Sequence, residues 1–178
     1  AGSNPRSTEA FTLDGNLTVE SGGWFYISNA GDDITVAGIV NVSGNFGEDG
    51  DSGAYTSLSL TINPSGIYNA TSGTTTITGD DDGSNAIYFY NGAIFVHNNG
   101  LFSFTNSADD TLRTGTGYHT FYDLSFSNGG LGSDTVMYRV NVDNDLTVTN
   151  SDVQSFYDMT VGNDVVIGRT GRIANHVL

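Results

Sequence analysis

The sequence has no cysteine and no lysine, and its five basic residues are all arginines (Arg6, Arg113, Arg139, Arg169 and Arg172). Without cysteine there is no disulfide framework, no thiolate metal site and no thiol nucleophile. Five cations against 20 acidic groups leave a net charge of −15. That balance argues against a nucleic-acid partner or an anionic lipid surface, since contact with phosphate needs clustered cations. It favours solubility, makes divalent cations the natural counter-charge, and suits a saline or marine setting. Leu, Ala and Glu are scarce, so almost no helix is expected. No run approaches the roughly 18 apolar residues a membrane helix needs, and no membrane insertion is expected. The start does not read as a signal peptide. Ala1 is as consistent with a removed leader or a processing cut as with an arbitrary boundary.

What is present belongs to turns and strand surfaces: 24 Gly, 21 Thr, 18 Asn and 17 Asp. Hydrophobics at 37% and aromatics at 11% still suffice for a core, so the chain is not a disordered one. Residues 1–12 lack periodicity and read as an extended arm, 13–170 as a single all-β repeat domain, and 171–178 as a C-terminal tail. Roughly fourteen short alternating runs fill the domain, separated by Gly/Asn/Asp/Ser turns. They include NLTVE (16–20), DITVAG (33–38), VNVSG (40–44), MYRVNV (137–142), MTVG (159–162) and VVIG (165–168).

The runs repeat. DGNLTVES (14–21) returns as DNDLTVTN (143–150), and FYDLSF (121–126) returns as FYDMTV (156–161). Units this small bury too little to fold alone and must stack on their neighbours. The pattern therefore predicts a β-solenoid (parallel β-helix), with Leu146 and Val148 inward, Thr147 outward and Asp143–Asp145 at a corner. An antiparallel β-sandwich or jelly roll is the alternative. Its best support is AIYFY-NG-AIFV (86–96), because Asn-Gly between alternating hydrophobics is a strong hairpin signal.

Residues 95–130, with FVHNNG, an alternating strand, a polar loop and FYDLSF, resemble a degenerate repeat. Together with DNDLTVTN, the stretch is similar to the β-helical repeats of structural proteins of marine bacteriophages and of large bacterial surface adhesins. The likeness covers about residues 58–168. It implies a passive extracellular or virion-borne β-solenoid, homotrimeric or part of a larger assembly, and it carries over no catalytic residue.

Calcium is the sharpest site expectation. GEDGDSG (47–53) gathers Glu48, Asp49 and Asp51, and GDDDGSN (79–85) gathers Asp80, Asp81, Asp82 and Asn85. Hard oxygen ligands on flexible turns are what Ca²⁺ accepts. Asp134 lies in GGLGSDTVM (129–137), a solitary match to the nonapeptide of calcium-binding β-rolls. The bland reading is that acidic turns only keep the surface soluble. His97, His119 and His176 have no metal-ligand spacing. Among the aromatics, Trp24, Tyr26, Tyr88 and Tyr90 are candidates for stacking on glycans, for a subunit interface, or for the core. The Asn-x-Ser/Thr sequons at Asn16, Asn41 and Asn69 are what an Asn- and Thr-rich chain produces by accident.

No enzyme is expected. A solenoid lyase wants a basic group beside a uronate, a glycosidase pair of carboxylates carries no weight among 17 Asp, and no Gly-x-Ser-x-Gly elbow occurs. The expected function is a non-enzymatic building block of an extracellular assembly, foremost a bacteriophage virion decoration or fibre protein. The alternatives are a secreted surface adhesin or filament subunit using strand exchange, and a glycan-binding module. The expected partners are further copies of the chain (trimer or filament), other virion or surface-layer proteins, and glycans. No cofactor is required beyond the calcium that acidic turns would hold.

Overall fold

The computed structural model describes residues 6–7, 10–27, 31–47, 52–81, 85–105, 111–127 and 134–175. They form a β-solenoid of about six turns, with no helix among them and every named strand pairing parallel. Each full coil has three faces. The first face stacks β2 (Phe11–Leu13), the start of β5 (Ile34–Val42), the start of β7 (Tyr55–Ile62), β9 (Thr74–Ile77), β12 (Leu101–Phe104), β15 (Asp123–Phe126), β18 (Leu146–Val148) and β20 (Val165–Ile167). The second stacks β3 (Leu17–Val19), the ends of β5 and β7, β10 (Asn85–Phe89), β13 (Thr111–Thr114), β16 (Asp134–Met137), β19 (Asp152–Ser155) and β21 (Arg172–Asn175). The third carries β1 (Arg6–Ser7), β4 (Trp24–Ile27), β6 (Asn45–Phe46), β8 (Ile67–Asn69) and β11 (Ile94–Val96), and then β14 (His119–Phe121) with β17 (Val140–Val142).

Period-2 patterning drives this arrangement. Alternate residues of each strand point inward and meet the same position of the coil above. On the first face Val36, Ser57, Ile77, Phe104, Phe126 and Val148 stand in register, and all are buried. Leu146 and Val148 are fully buried with Thr147 partly exposed between them, and residues 143 and 144 turn the corner as expected. A row of aromatic rings starts at Phe11 of the first face and continues along the third: Phe11, Phe25, Phe46, Tyr68 and Phe95 succeed one another at 5.2, 5.7, 5.3 and 5.9 Å between centroids. Phe121 continues the row 5.0 Å from Phe95. Such pairs contribute about 0.5–1.5 kcal/mol each beyond their area burial. Burial pushes the Tyr55 phenol well above its ordinary range, and neighbouring Tyr68 adds to the rise.

The sandwich alternative fails at its strongest point. β10 and β11 do not pair with each other; β10 lies between β7 and β13, and β11 lies on β8. Asn91-Gly92 turns a solenoid corner, with Gly92 at φ 84°. Other boundaries also move. DITVAG and VNVSG merge into β5, MYRVNV breaks at Arg139, and MTVG contributes a single bridge, Val142 to Val161. Phe11 and Thr12, inside the expected arm, pair with β5, and Arg172–Asn175, inside the expected tail, pairs with β19.

Candidate functional site

The repeated Asp/Asn corners hold coils together. Asp123 Oδ1 accepts hydrogen bonds from Asn144 Nδ2 at 2.7 Å and from the Asp145 backbone N–H at 3.1 Å. One coil further on, Asp145 Oδ1 accepts from Asn163 Nδ2 at 2.8 Å and from the Asp164 N–H at 3.1 Å. Asp33 Oδ1 plays the same part for the Ala54 N–H at 2.7 Å. A carboxylate is the natural acceptor at such a corner, because charge-assisted bonds to N–H groups are the stronger ones. The sequence repeat thus marks a rung-to-rung clamp.

Of the expected calcium ligands, Glu48, Asp49, Asp51 and Asp82 lie outside the described residues, and only the backbone of Asp134 is described. Asp81 and Asn85 do come together: the Asp81 carboxylate accepts from the Asn85 N–H at 2.9 Å and from its Nδ2 at 3.3 Å. Among the described residues no three His, Asp or Glu side chains gather as metal ligands. His97 Nε2 lies 3.5 Å from Asp143 Oδ2, with the His97 ring stacked on Tyr122. His119 packs on Phe89 at 4.5 Å, and burial lowers its pKa from the ordinary 6.5. His176 is outside the described residues.

The expected aromatics separate into two kinds. Tyr26 is buried, and Trp24 stands half-exposed on β4, apart from the others. Tyr88 and Tyr90 stack on each other at 4.0 Å and 25° on the flank where the second face turns into the third. They form one end of a groove of about 570 Å³ that runs along the solenoid axis across successive coils.

Strand register builds this groove. Tyr88 points outward from β10, and its register partner on β13 is Arg113, whose guanidinium lies 4.9 Å from the Tyr88 ring centroid. Tyr138 follows β16 and stacks on Phe156 at 5.2 Å and 11°. Arg139, next along, places its guanidinium 4.3 Å from the Tyr157 centroid and donates from Nη1 to the Thr116 carbonyl at 2.9 Å. Corner hydrogen bonds fix the floor: the Thr116 N–H donates to Asn91 Oδ1 at 2.6 Å, and Thr114 Oγ1 donates to the Tyr138 carbonyl at 2.7 Å. Arg139 has φ 48°, a left-handed conformation that costs a bulky residue roughly 1–2 kcal/mol.

Two of the chain's five arginines therefore meet in one groove, each over a tyrosine. Among the described residues neither makes an ion pair, whereas Arg172 is paired with Asp152. The described residues that line the groove include no Asp or Glu, although 20 acidic side chains occur in the chain. The outer rings, Tyr90 and Tyr157, remain 37% and 38% exposed. Sequence reasoning found Tyr88 and Tyr90 and missed Arg113, Tyr138, Arg139 and Tyr157. The available signal was positional, since IYFY and TLRT place Tyr88 and Arg113 at equivalent outward points of successive repeats.

No protein-family model, no curated protein and no solved structure matches the chain.

Proposed function

We propose that the chain is a non-enzymatic building block of an extracellular assembly, a rigid β-solenoid that holds a saccharide along its flank. The observation that carries this reading is the groove. Its exposed tyrosine faces, neighbouring guanidiniums and hydroxyls are the mixture that engages the apolar face and the hydroxyl rim of a pyranose. A virion decoration or fibre protein and a secreted surface adhesin would both use such a site, and the resemblance of residues 58–168 to phage and adhesin repeats supports either setting. Glycan-array binding, repeated with Tyr90→Ala and Tyr157→Ala, tests the reading. Each substitution is expected to weaken the best-bound glycan by about tenfold, the upper part of what one aromatic contact contributes. An array without hits, or unchanged binding by both variants, overturns it.

A second reading, assembly by strand addition, draws on β20. Among the described residues it ends the order of its sheet with one partner, β18, and Val165, Val166 and Ile167 are each about half exposed. A parallel strand from a further copy would continue the ladder there. Sedimentation of the protein at rising concentration is expected to show self-association that Val166→Lys abolishes. A concentration-independent monomer rules this reading out.

A further inference from the structure

Resting on the reading of the groove as a saccharide site, we infer that its ligand is a linear acidic saccharide whose carboxylates are received by Arg113 and Arg139. In a chain of net charge −15, a cluster of cations is the arrangement least expected by chance. Here two guanidiniums converge on one groove, and among the described residues that line it none is acidic. Both are held by aromatic faces, Arg113 by Tyr88 and Arg139 by Tyr157.

That way of holding a guanidinium has a chemical consequence. A cation laid on a ring is fixed in place while its N–H donors stay available, and the planar fork matches a carboxylate bidentately. The bond from Arg139 Nη1 to the Thr116 carbonyl uses one donor and orients the rest. Arg139 also occupies a left-handed position where glycine would be relaxed, so its side chain is retained at the expense of backbone strain.

The charge balance also sets the acid density of the ligand. Two guanidiniums can pair two carboxylates, and the rest of the surface is strongly negative. A polymer charged on every sugar would bring unpaired anions against that surface. A chain that alternates acidic and neutral sugars brings fewer unpaired anions against it.

Titration calorimetry on the whole protein tests this with three probes: an alternating glucuronate and N-acetylhexosamine hexasaccharide, the same hexasaccharide with its carboxyls reduced to alcohols, and hexagalacturonate. The alternating acid is expected to bind at least about tenfold more tightly than its reduced form, as two charge-assisted pairs allow, and more tightly than hexagalacturonate. Arg113→Gln and Arg139→Gly, the second relaxing the backbone, should each erase most of the preference for the acid over its reduced form. Equal binding of acid and reduced forms overturns the carboxylate inference and leaves the saccharide groove standing. Tighter binding of hexagalacturonate overturns the spacing of the acid. Absence of binding by all three removes both the inference and the reading it rests on.

Discussion

Phe121→Ala is expected to cost about 3–5 kcal/mol of folding stability, a fall in melting temperature of roughly 10 °C for a chain of this size. Phe121 is fully buried, and its ring meets Phe95 at 5.0 Å, Phe102 at 5.1 Å and Phe89 at 6.2 Å. It therefore joins the aromatic row of the third face to the inward residues of the other two. Truncation leaves a cavity between coils whose spacing is fixed by backbone hydrogen bonds, so little collapse can fill it. Calorimetric melting of the variant checks this. A loss below about 1 kcal/mol would mean that the interior repacks like a liquid, contrary to the tight interlock of native cores.

Gly100→Ala is expected to cost about 3 kcal/mol for the opposite reason, excess volume. Gly100 closes the His97-Asn98-Asn99-Gly100 corner, in which Asn98 and Asn99 have φ 47° and 60°. A Cβ at position 100 would meet the Thr71 carbonyl of the coil below, with the Gly73 carbonyl at 2.8 Å and the Thr71 carbonyl carbon at 3.1 Å. All three obstacles are backbone atoms, so no side chain can swing aside. Gly117 is the control: it is exposed, and nothing lies within 4 Å of a Cβ built there. Its alanine variant should melt within about 0.5 kcal/mol of the parent. Equal melting of Gly100→Ala and Gly117→Ala would refute the account of the corner.

The solenoid was legible because its defining feature is local. Inward Leu146 and Val148 with outward Thr147 is a statement about three adjacent residues, and the coil repeats it. Asn91-Gly92 pointed the wrong way, since a left-handed glycine serves a hairpin turn and a solenoid corner equally well. What decides between them is whether β10 and β11 meet each other or the coils on either side, and no short window of sequence holds that information. The same limit explains the groove. Tyr88 and Tyr90 stood out as neighbours in the chain, whereas Arg113 reaches Tyr88 only through the register of β10 with β13. Arg139 looked like part of a strand until its left-handed backbone removed it from one. Asp123 and Asp145 hold N–H groups of the next coil, a partnership that sequence spacing alone does not specify.

The corner clamps from Asp123 to Asn144 and from Asp145 to Asn163, like the ladders beside them, all run along the axis of the solenoid. A tether attached at one end of such a body and tensioned from the other loads these bonds in series rather than side by side. Each coil then bears the whole force, and the weakest yields first, paying out its own length of chain before the next is strained. The protein would answer a pull as a staged shock absorber, giving way one turn at a time and rewinding from the turns that held.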